Sequence, residues 1–286
     1  MGAHMNIGSR FERTGSYAMI LLFSAGAVYP LLSILFLSLH RQSDLVTGFA
    51  LPHSVDFSSF RSAWTEGSFT TGYKSSAIVA VAVTLASAVC SILAGYALGT
   101  MRFAGQTLFF GLMVVGIVFP YEATVIPLYY DFQSIHPFGI NVSQTYWVLI
   151  LPQIGTSVAF GVVWMRAFFR AAPRSLIEAA RIDGASTFGV LFRVLLPQAR
   201  PAILTMCVLI FMWTWNEFLL ALVLIQDQSK QTAPLGLSFF ASAAHGATDR
   251  TKVAAASILV AAPVLLVYVF LQRHFLRGMT AGAVKA

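Results

Sequence analysis

Charge is what this sequence has least of. Asp, Glu, Lys and Arg make up 10% of its 286 residues, against about 25% in an average soluble protein, while 57% of the chain is hydrophobic. So few charges cannot cover a water-exposed surface, which excludes a soluble globular protein and leaves an integral membrane protein built of helices. No nucleic-acid partner is expected. The chain also lacks a phosphate loop of its own. Such a loop ends in Gly-Lys-Ser/Thr, and the four lysines, Lys74, Lys230, Lys252 and Lys285, follow Tyr73, Ser229, Thr251 and Val284. No two of the six histidines stand four apart, and there is no Cys-x-x-Cys, so a metal site of the common local kinds is unsupported. Cys90 and Cys207 both fall in apolar runs and read as packing residues, not as a disulfide framework. An intramembrane serine hydrolase would place an activating His on a crossing near Gly155-Thr156-Ser157. No crossing contains a histidine, so Gly155 and Ser157 read as small residues at a helix contact.

What is abundant is long apolar runs. Each bilayer crossing needs about 20 mostly apolar residues, and the charge-poor intervals give six. The first runs from about Tyr17 to Leu39; the second fills most of the interval between Lys74 and Arg102; the third reaches from Arg102 to about Tyr121. The fourth lies within Val142 to Met165, the fifth begins at Pro201 and continues to about Ile225, and the sixth covers Val253 to Gln272. Pro30, Pro120, Pro152, Pro201 and Pro263 lie within or at the ends of these spans and predict kinked helices, because neighbours can satisfy the freed carbonyls. The expected fold is an all-α membrane protein of six transmembrane helices. Its expected domains are an N-terminal segment 1–16, a permeating domain 17–272 and a C-terminal tail 273–286. The opening Met1 to Met5 reads as a cloning scar and is left out of the fold reasoning.

Lys and Arg in the connections set orientation. With the N-terminus inside, the inner segments hold twelve basic residues against Glu12, Glu178 and Asp183, a surplus of nine, whereas the outer segments hold six basic residues against seven acids, with Glu217 of the outer half of the fifth crossing added as the eighth, a deficit of two. Both termini are expected in the cytoplasm.

The longest inner connection, Arg166 to Arg200, is amphipathic. Ser175 and Glu178 have the capping-box spacing, which predicts a helix capped by Ser175 and ended at Gly184 by a left-handed residue. A second helix is expected from Ser186, with Phe188, Leu191, Phe192 and Leu195 on one face and Pro197 limiting it. Helices this short are marginal alone in water, so docking must stabilise them.

Glu178-Ala179-Ala180, three residues, Gly184, nine residues, Val194, one residue, then Leu196-Pro197 resembles the EAA loop of permease subunits of bacterial ABC importers, with Val194 where that family usually has Ile. The run Glu178 to Ser186, the segment Trp215-Asn216-Glu217-Phe218 and the tail Arg277 to Lys285 resemble the carbohydrate branch, in particular the MalG-like subunits of maltose-type importers. The resemblance implies a subunit of the bacterial inner membrane that pairs with a second, different permease. It also implies two cytoplasmic ATPase subunits, which would use the ATP and Mg while this chain binds no cofactor, and an external sugar-binding protein. The coupling residues would be Ser175, Glu178, Ala179, Ala180, Asp183, Gly184 and Pro197. A self-contained six-helix secondary transporter or channel is the other reading, and it would be expected to carry more ionisable groups in its spans.

Glu217 is the only acid inside an apolar crossing and, with Asn216, is a candidate for the substrate path; a structural role at the outer interface is the competing reading. The outer connection Gln226 to Lys252 carries Pro234, Gly236, Phe239, Phe240, His245 and Gly246 and matches in position the family's loop that reaches the binding protein. Gly95 and Gly99 form Gly-x-x-x-Gly and predict a close helix approach. Tyr121, Tyr129, Tyr130 and Trp147 read as an interfacial belt.

Overall fold

The computed structural model describes residues 10–44, 46, 48–135, 142–244 and 247–283. Among them the secondary structure is entirely helical: α1 Arg10–Ser38, α2 Ser58–Glu66, α3 Phe69–Thr100, α4 Gln106–Val118, α5 Val125–Ser134, α6 Trp147–Ala171 and α7 Arg174–Ile182. There follow α8 Thr187–Gly189, a π-helical stretch Val190–Leu195, α9 Leu196–Trp215, α10 Leu219–Leu224, α11 Ala233–Ala243 and α12 Ala247–Ala283. Five of the helical runs are long and apolar enough to cross a membrane. The third expected crossing differs. Its helix α4 has 13 residues, about 20 Å at 1.5 Å per residue, short of a hydrocarbon core about 30 Å thick. Phe119 is extended ahead of Pro120, as the proline ring demands, and the chain resumes at Tyr121 bent by 87°. Pro120 therefore breaks its span, whereas Pro30, Pro152, Pro201 and Pro263 lie inside continuous helices.

The chain divides into two compact units. One comprises the residues up to Gly67 together with Phe239–Val260. Its α1 exposes most of its apolar span, with burial only at its last turn, as suits a surface meeting lipid tails or another subunit. Helix α2 falls where a plain outer connection was expected. Asp56 starts it by accepting the Ser58 N–H (2.7 Å), Ser59 donates to the Thr251 hydroxyl (3.1 Å), and Lys252 reaches both Glu66 oxygens (2.9 and 3.0 Å).

The other unit comprises Ser68–Ser238 with the residues from Ala261 on, and its centre is the pair α3 and α6. A methyl group on Gly95 would lie 2.6 Å from the Met165 Cβ, one on Gly99 3.1 Å from the Phe169 Cβ, and one on Gly161 2.7 Å from the Ser91 Cβ. The Gly-x-x-x-Gly expectation holds, and Gly161 answers it from the facing helix. Ser157 is buried as expected, but Gly155 is exposed, and a methyl group added there would meet nothing within 4 Å, so it makes no close helix contact within this subunit. Cys207 is half-buried, while Cys90 is exposed within this subunit.

The fifth crossing begins fourteen positions earlier than the Pro201 expected from the charge gap, since one helical run continues from Thr187 to Trp215. Pro197 does not limit the second short helix. It stands two residues after the end of a π turn, whose wider i→i+5 bonding already departs from the pattern its missing N–H would break. The same wide turn splits the expected apolar face. Leu191 and Leu195 are buried, whereas Phe188 and Phe192 are 66% and 53% exposed and stack on each other at 6.4 Å.

Candidate functional site

Two places carry chemistry: the short helix α7 with its supports, and the break after α9. Chain direction changes at Ala172 and Pro173, both extended in ψ, and α7 starts at Arg174 with Pro173 in the capping position and no side-chain cap. The capping box does not form. Ser175 is already the second helical residue, because proline's fixed φ pre-sets the entry one residue earlier; Leu176 donates to the Pro173 carbonyl (3.2 Å).

The C-terminus of α7 follows the expectation. Gly184 has φ +82°, the Gly184 N–H donates to the Arg181 carbonyl (3.0 Å) and the Ala185 N–H to the Ala180 carbonyl (2.9 Å). These are the two bonds of a Schellman stop, with Asp183 as the last helix-flanking residue and the glycine left-handed after it. Leu176, Ile177, Ala180 and Ala185 pack on the core. Ser175, Glu178, Ala179, Arg181, Asp183 and Ile182, the last 86% exposed, turn outward.

Three elements hold this projection. The Tyr96 hydroxyl of α3 donates to the Thr187 carbonyl (3.0 Å), and its ring meets Phe169 of α6 edge-on at 5.8 Å. Ser186 accepts the Gly189 N–H (3.1 Å) and so caps the next helical run at the expected residue. The helix α9 that continues from it is tied to α6 by the Trp164 indole N–H, donated to the Ala202 carbonyl (3.0 Å). Hydrogen bonds and buried rings thus join the segment after α7 to α3, α3 to α6, and α6 to α9. Tyr96 was not singled out from sequence; its only signal there was a polar tip near the end of an apolar span.

At the other place, Glu217 is half-buried in the gap between α9 and α10. One carboxylate oxygen accepts the Leu220 N–H (2.8 Å) and the other the Tyr121 hydroxyl (2.9 Å). It therefore caps α10 and pins it beside the break after α4. Asn216 is exposed and donates to the Met212 carbonyl of its own helix (2.8 Å), not to a neighbouring one. Tyr129 likewise has a specific partner, accepting the Gln226 side-chain N–H (3.0 Å). Because hydrogen bonds to a charged group contribute about 1.5 to 3 kcal/mol and this one is only half-buried, Tyr121→Phe and Glu217→Gln are each expected to lower thermal stability modestly. The double variant should lose less than the sum, with a coupling of about 0.5 to 3 kcal/mol; additive losses in a thermal-melt cycle would break the pairing.

The connection expected on the outer side is helical over Ala233–Ala243, not a plain loop. Pro234 stands in the first turn of α11, where its missing N–H is harmless. The Ala233 N–H is taken by Ser76 of α3 (2.9 Å). A methyl on Gly72 would meet the Ala233 backbone at 3.1 Å. Pro234, Gly236 and Phe240 are half-buried and Phe239 is exposed; His245 and Gly246, like Val284 and Lys285 of the tail motif, lie outside the described residues.

Residues 91–281 match the family of binding-protein-dependent transport system inner membrane components. The chain is 31% identical over 273 residues to the probable ABC transporter permease protein YurM of Bacillus subtilis, covering 95% of this chain and 88% of that one. It is 30% identical over 268 residues to the diacetylchitobiose uptake system permease protein NgcG of Streptomyces coelicolor, covering 93% and 87%. A crystal structure of a bacterial ABC transporter that imports the acidic polysaccharide alginate contains a chain that superimposes with a TM-score of 0.77 at 26% identity, over 95% of this chain and 100% of that one. This chain belongs to the family of inner-membrane permease components of binding-protein-dependent ABC transporters. It is a multi-span transport subunit and not an ATPase, and the self-contained transporter reading is set aside.

Proposed function

We propose that the chain is one of two different membrane subunits of an importer for a sugar or oligosaccharide, served by two ATPase subunits on the cytoplasmic side and by an external sugar-binding protein. The observation that carries the coupling part of this reading is the form of α7. Its inner face is anchored in the core, its outer face carries Ser175, Ala179 and Ile182, with Glu178 on the flank between the two, and a left-handed glycine ends it. Closure of the ATPases around bound ATP and Mg would press on α7, and Tyr96, Phe169 and Trp164 would carry the displacement into the spans, opening them alternately to either side. This chain would hold neither nucleotide nor metal itself. The carbohydrate class is supported by the NgcG relative and by the alginate importer.

Both termini lie in the cytoplasm in this reading, supported by the basic surplus on that side. Glu217 would hold the broken spans in register, with Asn216 beside it at the edge of the path, and the outer turns around Pro234, Gly236, Phe239 and Phe240 would meet the binding protein. A membrane-impermeant thiol reagent applied from outside should label a cysteine at Ser58 and spare one at Ser186. The opposite pattern would overturn the orientation.

A further inference from the structure

A cavity of about 490 Å3 lies between the end of α3, the start of α4, the last turn of α6 and the flank of α7 that carries Arg174, Ile177, Glu178 and Arg181. Five arginines line it, Arg102, Arg166, Arg170, Arg174 and Arg181, against one carboxylate, Glu178. Among the described residues none of the five is in an ion pair. One of them is fixed in place. Arg166 donates its Nε–H to the Leu98 carbonyl (3.3 Å) and lays its guanidinium 3.7 Å from the Phe110 ring centroid, which leaves its terminal N–H groups free of protein partners. Gln106 braces the same wall by donating to the Leu98 and Met101 carbonyls (2.8 and 3.0 Å). The rest of the lining is largely apolar, including Phe110, Phe169 and Ile177.

Like charges gathered this closely repel one another unless an anion sits among them, and guanidinium forks match the oxygens of a phosphate. Helices α3 and α6 end here, at Thr100 and Ala171, so the cavity opens at the depth where a lipid headgroup lies. Basic pockets between spanning helices on the cytoplasmic face suit such headgroups. We infer that this cavity binds the phosphate headgroup of an anionic phospholipid, which bridges the α3–α4 turn to α7. The apolar walls favour a lipid over a free phosphate, since they can take the glycerol and the first acyl carbons. The bridging of α7 to the spans rests on the permease reading, but headgroup binding does not. It is measured on the purified complex with both faces open, so it succeeds or fails independently of orientation and of transport.

The test is native mass spectrometry of the intact transporter complex, delipidated in detergent and titrated with phosphatidylglycerol, with phosphatidylcholine, and with phosphatidylglycerol in the presence of inorganic phosphate. The wild type should prefer phosphatidylglycerol by about tenfold or more, and excess inorganic phosphate should not displace it. Arg102→Gln with Arg170→Gln should reduce that preference to within about threefold, while Arg193→Gln with Arg200→Gln, basic residues outside the cavity, should leave it intact. The single variant Arg170→Gln should show an intermediate preference even if the double variant fails to assemble. Equal binding of the two lipids by the wild-type complex, as when an ATPase carboxylate fills the cavity, would overturn the proposal. So would an unchanged preference in the cavity variants, or displacement by inorganic phosphate.

Discussion

Gly184→Val should reach the membrane and assemble, yet lose substrate uptake by about tenfold or more. The basis is the φ of +82° at Gly184, a region that costs a β-branched residue about 1 to 3 kcal/mol. Crowding cannot be the cause, since no atom lies within 4 Å of the added Cβ position. Relieving the strain would undo the bonds from Gly184 to Arg181 and from Ala185 to Ala180, and α7 would leave its angle to α3 and α6. Gly184→Asn supplies the control, because Asn visits the left-handed region at little cost; it should transport almost normally. In reconstituted vesicles the Val variant should also lose hydrolysis stimulated by loaded binding protein. Normal uptake and normal stimulated hydrolysis in that variant would remove this turn from the coupling route.

Gly95→Ala and Gly161→Ala should each destabilise the subunit by about 1 to 3 kcal/mol, the usual cost of overpacking. Their Cβ atoms would fall 2.6 Å from the Met165 Cβ and 2.7 Å from the Ser91 Cβ, closer than carbon atoms approach, so α3 and α6 would have to separate. That separation would also pull Tyr96 away from Phe169 and Thr187. Gly111→Ala, in open space on α4, should be neutral or slightly stabilising through helix propensity. Thermal melts of the purified complex decide it: three indistinguishable glycine variants would mean the α3–α6 contact is looser than described.

Much of the architecture was legible because it rests on composition. Apolar runs located the spans and the motif spacing located α7, while Gly184 announced its own stop since few other residues can stand there. What failed was what depends on backbone geometry between neighbours. Ser175 had the right type and spacing for a cap, but Pro173 two residues earlier had already set the helical entry. Pro197 read as a stop, but the π turn before it lets the helix run on. Pro120 looked like the other span prolines, and it alone breaks its helix, because Phe119 is extended before it. The Tyr121–Glu217 bond joins residues 96 apart in sequence, and no local pattern reveals such a pairing. Helix α2 was hidden by its short length and by a polar surrounding that reads as a loop.

In the proposed mechanism ATPase motion enters the membrane subunit at α7. A photo-crosslinking amino acid at Ala179, exposed on the outer face of α7, tests it most directly in the assembled transporter, with a second one at Ser58 as reference. Ala179 should give an adduct with an ATPase subunit, in a yield that changes when ATP is added, and Ser58 should give none. An assembled, transporting complex in which Ala179 yields no ATPase adduct in either nucleotide state would contradict it.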